Sequence, residues 1–389
     1  MRVSYFSLLS LCIISTVIIY HFNKENPFSP AFYLNNHNKV EFIQNVFDLN
    51  AHRLNMVKRF SQPKQILRLN PKLLLTIITQ PRKSRFPDQK YLLQVAMTLL
   101  HATVNISDVG MIICDANLDE LVHEDLDELL SVLDGNISVY RKCLYQKQRC
   151  ESPEYKTTAK NRLDLAFCLK KSASHNASYI IAIEDDAIPI QPMGFSFKKS
   201  LESLTYFLDR HSNILALKLN FPLDIAGFHQ FWLYALEFIC LWMLILSGFY
   251  FVVCFFQIHF NRSKFSFLTF AVFAALTLGI IGRPFFVYAR SSITRRFTIQ
   301  PSPDCCTATV VYPRQAALEF ANYLETLPVE LDLPIDYALS EFASKTKKDI
   351  LLALPNLFEH IGMISSQRSH RDLNPYPYIL SDFDKISIN

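Results

Sequence analysis

Two uncharged apolar runs stand in the middle of this chain, Phe238 to Phe256 and Phe265 to Gly282. They are nineteen and eighteen residues long and eight residues apart. At about 1.5 Å of helical rise per residue, each comes close to the thickness of a bilayer's hydrocarbon core. A pair of spans returns the chain to the side it left. Whatever precedes Phe238 and whatever follows Gly282 then share one compartment, and any domain written across both flanks must close around the pair. A third apolar run, Val3 to Phe22, is broken only by Ser, Thr, Tyr and His21. It could be a cleaved signal peptide or a signal anchor; its length and the lack of an A-x-A site favour the anchor. The 50% hydrophobic composition and mean hydropathy of +0.14 agree with a membrane-embedded chain. Arg2 precedes the first span and Lys24 and Glu25 cancel after it, which places the N-terminus inside. Arg262 and Lys264 in the short loop are matched by Arg283, Arg290, Arg295 and Arg296 beyond it, so charge does not orient the pair.

The layout expected is a cytosolic 1–2, a span at 3–22, a lumenal stem and helix at 23–72, and a globular domain in two parts, 73–237 and 283–366. The parts are separated by spans at 238–256 and 265–282 with a cytosolic loop at 257–264, and a tail follows at 367–389. A net charge of +4 with no basic run beyond Arg295-Arg296 gives no footprint for nucleic acid. The eight glycines form neither G-x-G-x-x-G nor a phosphate-cradling loop, which excludes dinucleotide and P-loop chemistry. Six of the nine cysteines lie outside the apolar runs: Cys114, Cys143, Cys150, Cys168, Cys305 and Cys306. An even number suits an oxidising lumen and leaves fifteen pairings open. Cys305 and Cys306 are too close along the chain to bridge each other comfortably, so each would need another partner. Sequons at Asn105, Asn136 and Asn176 are possible glycan acceptors.

In the stem, Val40, Ile43, Val46, Phe47, Leu54 and Val57 recur at helical spacing, which predicts an amphipathic helix near 39–60 whose role is packing. The domain then alternates. Leu73 to Thr79 reads as a buried strand, Asp88 to Ala102 as a helix, and Val109 to Cys114 as a second strand ending in Asp115. A helix follows over Thr158–Ala173, then a strand from Tyr179. Strand–helix alternation of this kind predicts an α/β domain with a mostly parallel sheet. Leu201–Leu208 continues it as a helix and Ile214–Leu219 as a strand. Beyond the apolar pair, Thr307–Tyr312 reads as a strand, Arg314–Thr326 as a helix, Leu333–Leu339 as a helix start and Ile350–Leu354 as a strand.

The third strand runs Tyr179-Ile-Ile-Ala-Ile183 straight into Glu184, Asp185 and Asp186, and Pro189 ends the run. An acidic triplet alone is often a solvated turn. At the C-terminal end of a buried strand it sits where open α/β sheets bind ligands, and a divalent cation would offset the mutual repulsion. The other polar strand ends, Thr79 to Arg82 and Asp115, would meet it in one crevice. Asp336 falls in the first turn of a predicted helix, where a carboxylate is either a plain cap or a functional group. His360 stands beside Gly362, the only glycine after the apolar pair, which marks a backbone position with special geometry.

Residues Asn161–Cys168, the Tyr179–Asp186 strand and Pro355–Gly362 with Ser365-Ser366 resemble the N-glycan GlcNAc-transferase IV family. The apolar pair splitting the domain, the Cys305-Cys306 pair and Leu333-Pro-Ile-Asp336 resemble the post-GPI-attachment GalNAc-transferases more closely. The resemblance implies a GT-A glycosyltransferase domain, with an inverting transfer from a UDP-sugar donor, UDP-GalNAc, to the mannose core of GPI-anchored proteins at a multi-pass Golgi membrane site facing the lumen. It implies Mn²⁺ (or Mg²⁺) held by Asp186 and His360 with Glu184, support from Glu184 and Asp185, a uridine and phosphate side formed by Thr79, Pro81, Arg82 and Asp115, and Asp336 as base. The alternatives are a UDP-GlcNAc-dependent N-glycan transferase and a catalytically inactive membrane interaction protein.

Overall fold

The structure is a computed structural model that describes residues 5–24, 29, 48, 50–59, 71–81, 90–116, 123–133, 137–142, 157–190, 196–222, 227–228, 232–255 and 264–362. Arg82, Asn136, Cys143, Cys150, Ser365, Ser366, the loop 257–263, the tail 367–389 and the first part of the predicted helix at 39–60 lie outside the described residues. The described residues form two compact units, one within Met1–Glu41 and Pro222–Ile293, the other within Phe42–Phe221 and Thr294–Asn389.

The second unit is built on an eight-stranded sheet. In chain order its elements are β1 (Leu73–Thr79), α2 (Tyr91–Thr103), β2 (Val109–Asp115), α3 (Glu124–Leu133), β3 (Ser138–Arg141), α4 (Thr157–Ala173), β4 (Tyr179–Glu184), β5 (Ala187–Pro189), α5 (Phe197–Leu208) and β6 (Ile214–Lys218). After the first unit's helices come β7 (Thr298–Pro301), β8 (Thr309–Pro313), α9 (Arg314–Thr326), α10 (Ile335–Thr346), β9 (Asp349–Leu354) and β10 (Phe358–His360). The sheet order is β3-β2-β1-β4-β8-β6-β9-β7, with a separate ribbon of β10 and β5. Period-two alternation explains the layering. Tyr179, Ile181 and Ile183 of β4 join one core with α2, α3 and α5. Ile180 and Ala182 join the other with α4, α9 and α10. Strands covered on both faces read as unbroken apolar runs, which is why β1, β2 and β4 are plain in the sequence.

The expected mostly parallel sheet is present, with two strands reversed. β8 runs antiparallel between β4 and β6, and β7 antiparallel to β9. Neither is reached through a single crossover helix packed on the sheet, so the rule that makes strand–helix–strand units parallel does not act on them. A second difference concerns Ala187–Pro189. The sequence reading ends the strand's run there, whereas the chain turns at Asp185-Asp186 and forms a new strand, β5, paired antiparallel with β10.

The first unit holds α1 (Tyr5–Asn23), α6 (Trp232–Phe255), α7 (Lys264–Ile281) and α8 (Arg283–Thr294). Among the described residues, α6 alone has the length and composition to cross a membrane. The apolar part of α7 passes that test only together with α8, from which it is bent by 75°. Gly282, at φ 83°, makes the break. The apolar stretch of α1 is shorter, Leu9–Asn23. α6 and α7 pack through Phe249 stacked on Phe270 at 3.6 Å and through Trp242 Nε1 donating to the Ala271 carbonyl at 2.8 Å. Glu237 lies inside α6, where it pairs with Arg283 at 2.7 Å, and the Arg283 guanidinium stacks 3.6 Å from the Tyr234 ring.

Candidate active site at the C-terminal edge of the sheet

Register alone brings the polar strand ends together. β1 pairs in parallel with β2 and with β4, so Thr79 lies opposite Asp115 and Ile78 opposite Glu184. The carboxylates that follow then diverge in environment. Asp185 is buried and turned back onto the sheet: its Oδ2 accepts from the Thr79 hydroxyl at 2.7 Å and from the Gln80 backbone N–H at 3.4 Å. The Thr79 hydroxyl also meets His123 Nε2 at 2.9 Å. Asp185 is thus a strut of the crevice wall.

Asp186 faces the other way. The ribbon places His360 opposite Ala187, the residue after Asp186, although the two lie far apart in sequence. His360 Nε2 stands 3.1 Å from Asp186 Oδ1 and 3.6 Å from Glu184 Oε2. The ribbon is locked to the turn by the Ile361 N–H, which donates to the Asp186 carbonyl at 2.7 Å. The three side chains offer one ligand atom each, all within 4.8 Å of one another. Their side chains grade outward, 5% exposed for Asp186, 20% for His360 and 47% for Glu184. Gly362 closes the arrangement from behind. A Cβ there would collide with the Asp186 carboxylate, with Cγ only 2.7 Å away. The glycine is therefore required by close approach rather than by a left-handed backbone, the special geometry having a steric origin. Two carboxylates and an imidazole with converging atoms and an open side suit Mn²⁺ or Mg²⁺.

Asp115 is buried, with Arg141 Nε 3.9 Å from its Oδ2. Pro81 follows Gln80 at the mouth and is partly buried. Gln80 belongs to a polar network that the sequence gives no sign of. Its Nε2 donates to Asp164 Oδ2 at 2.8 Å, and Asp164 also receives Lys142 Nζ at 2.6 Å and Lys160 Nζ at 3.0 Å. Buried Asp164 is thus satisfied by three donors, as a charge out of water must be, and the end of β1 is fixed by it.

Asp336 sits in the first turn of α10, where Pro334 is the N-cap and no side chain caps the helix. Asp336 is not a plain cap: its Oδ1 is buried and has no hydrogen-bond partner among the described residues. Among the described residues it makes no hydrogen bond or ion pair with Glu184, Asp186 or His360. Its electrostatic neighbours are Lys218, Tyr312 and Cys306. Lys218 is buried and donates to the carbonyls of Pro303 at 2.8 Å and Cys305 at 2.6 Å. Burial pushes the Lys218 ammonium down, against Asp336, which holds it up. Burial raises the Tyr312 hydroxyl, and Asp336 raises it further. Of the cysteines, Cys114 and Cys168 form a disulfide that ties the end of β2 to α4. Cys305 and Cys306 hold their sulfurs 2.8 Å apart without a bridge between them, and Cys306 takes φ 71°.

Acidic side chains gathered at the C-terminal edge of an α/β sheet stand where such sheets bind ligands, and the family comparison defines the class of protein. Residues 73–359, the sheet unit and all that interrupts it, match a family of glycosyltransferases. That family is described as GPI-N-acetylgalactosamine transferase PGAP4, and the chain belongs to it. Membership implies transfer of N-acetylgalactosamine to the glycan of a GPI anchor.

Proposed function

We propose that this chain is a metal-dependent, inverting transferase of the GT-A type that moves GalNAc from UDP-GalNAc to the mannose core of GPI-anchored proteins in the Golgi lumen. α1, α6 and α7 are its membrane spans. The observation that carries the reading is the convergence of Glu184 at the end of β4, Asp186 in the turn after it and His360 of β10, far apart in sequence, onto one small volume. Asp186 and His360, with Glu184, would hold Mn²⁺ (or Mg²⁺). When bound, the ion neutralises negative charge developing on a departing diphosphate. Thr79, Pro81 and Asp115 would line the uridine and phosphate side, with Asp185 holding Thr79 in place; Arg82, outside the described residues, is assigned to that side on the resemblance alone. Asp336 supplies the base: the acceptor hydroxyl oxygen bonds to the anomeric carbon, its proton passes to Asp336, and the bond from that carbon to UDP breaks with its electrons leaving on UDP. The unpartnered, buried Oδ1 of Asp336 supports this role, because an acceptor atom left without a donor is costly unless used. A positioned base contributes about 10² to 10⁴ in rate. Membrane spans inside the catalytic region would hold the site near a lipid-anchored acceptor and raise its effective concentration.

The test is donor turnover by the full chain in detergent, with Mn²⁺, a GPI-glycan acceptor and either UDP-GalNAc or UDP-GlcNAc. Metal-dependent transfer of GalNAc, lost in Asp186→Ala, is expected. Transfer from UDP-GlcNAc alone would overturn the donor assignment, and a folded protein that turns over neither would be an inactive interaction protein.

A further inference from the structure

We infer that Arg162 of α4 is a positioning residue for Asp336, acting through the loop that leads into α10; the inference rests on the reading of Asp336 as base. Arg162 is 1% exposed, and such a cation out of water needs partners for its donors. Its hydrogen bonds go to main-chain oxygens. Nη1 donates to the carbonyls of Leu331 at 2.8 Å and Leu333 at 2.9 Å, and Nη2 donates to the carbonyl of Pro328 at 2.8 Å. These three carbonyls span the segment between α9, which ends at Thr326, and α10, which begins at Ile335.

Otherwise the segment is held by Leu327 and Leu333, which pack against the core beneath it, and by few hydrogen bonds of its own. Its own backbone bonds are Leu331 N–H to the Pro328 carbonyl at 3.2 Å and Leu333 N–H to the Leu331 carbonyl at 3.0 Å. Pro328 and Pro334 bring no N–H donors. On the solvent side, Thr158, one turn before Arg162 on α4, donates to Asp332 at 2.8 Å. One helix therefore grips the loop twice, and the guanidinium does most of it. A planar fork with five donors reaches the three carbonyls from two separate nitrogens, a spread that a lysine's single nitrogen does not match. The last gripped residue is Leu333, and Asp336 follows three positions later in the first turn of α10, where no side-chain cap fixes the helix start. The direction in which Asp336 points is thus set from α4, the helix that also carries Asp164 and the Cys168 end of the disulfide.

Steady-state kinetics of the full chain in detergent tests this with Arg162→Met, Arg162→Lys, Thr158→Val, Asp336→Asn and the Arg162→Met/Asp336→Asn double variant, alongside calorimetric titration of UDP. A misplacement of about 1 Å costs on the order of 10²-fold. The expected result is a kcat lowered roughly 30- to 100-fold in Arg162→Met, less in Arg162→Lys and about threefold in Thr158→Val, with donor KM and UDP affinity within about twofold. In the Asp336→Asn background, Arg162→Met adds less than about twofold, because both changes remove one function. Multiplicative losses in the double variant, or a KM that rises as kcat falls, overturn the positioning role while leaving Asp336 as base. Full kcat in Asp336→Asn overturns the base, and the positioning role with it. If Arg162→Met does not fold, Arg162→Lys and Thr158→Val carry the same comparison, and unchanged kcat in both overturns the inference.

Discussion

The two edges of the one sheet carry similar side chains and use them differently. At the N-terminal edge, Asp209 is 44% exposed, takes Lys72 Nζ at 2.7 Å and receives the Tyr179 hydroxyl at 2.9 Å. Arg314 spends its donors nearby on the Ala173 carbonyl and Asn176. Lys72, Asp209 and Arg314 each have a partner and water within reach, and such pairs contribute little. At the C-terminal edge Asp186 is 5% exposed, beside a second carboxylate and an imidazole. Like charges held this close raise each other's energy, the more so where one of them is buried, and a cation placed between them would relieve that cost. Composition does not separate the edges; burial and the destination of each hydrogen bond do.

The comparison is sharpened first by loosening the functional edge. The Cys114–Cys168 disulfide spans 54 residues and ends one residue before Asp115. Loop-closure entropy for that length gives about 4 kcal/mol. Cys114→Ser with Cys168→Ser is expected to lower stability by roughly that amount in thermal or denaturant unfolding, and to weaken UDP binding because the wall holding Asp115 opens. Lost stability with unchanged UDP affinity would mean that the edge is held by its register alone.

Next in size is Gly362→Ala. The added methyl would occupy the space of the Asp186 carboxylate. Overpacking of this kind costs about 1–3 kcal/mol, but the expected signature is chemical. Mn²⁺ affinity, read by calorimetry on the protein without donor, falls by at least about tenfold, since 1.4 kcal/mol is a decade. A variant that binds Mn²⁺ normally would show that the Asp186 carboxylate can move freely, and the view of this edge as rigidly built would fail.

Much of the functional edge was legible, for identifiable reasons. Buried strands announce themselves as apolar runs, so the positions of Thr79, Asp115 and Glu184 at strand ends follow from β1, β2 and β4. Glycine beside His360 pointed to a tight place, though the cause is a carboxylate packed against it rather than its backbone angle. What stayed hidden depends on tertiary partners. The reversal of β8 is set by how the chain re-enters the sheet, which strand propensity does not encode. Arg162, Lys142 and Lys218 look like solvated cations in the sequence, because nothing in residue spacing tells that a long side chain will be buried against carbonyls or an aspartate. His123 and Gln80 hold the end of β1 through hydrogen bonds that no motif marks. Arg53, from the helical residues 50–57 upstream of the matched region, is buried against Glu359 at 3.5 Å, next to His360. The stem helix was expected only to pack; here it also reaches the strand that carries the candidate ligand.

The smallest expected effect lies at the other edge and tests whether that edge is ordinary. The Lys72 hydrogen bond, aided by Tyr179, holds the Asp209 carboxyl below its usual range. Its stabilising share is fully present above about pH 4 and is lost as pH falls through the folded value. Tyr179 is the reverse case: burial first, then the bond to Asp209, pushes its hydroxyl up to about 12. The folded state keeps that proton longer than the unfolded chain, so stability is whole below about pH 10 and declines as pH rises toward the folded value. Asp209→Asn is expected to cost about 0.2–1 kcal/mol near neutral pH, given the exposure of the pair. It should also flatten the acid limb of a melting-temperature profile and make the alkaline decline shallower, still beginning near pH 10 but ending at lower pH. Donor turnover should not change. A loss of several kcal/mol, or of turnover, would show that the exposed pair is coupled to the far edge through β4, and the contrast between the two edges would no longer hold.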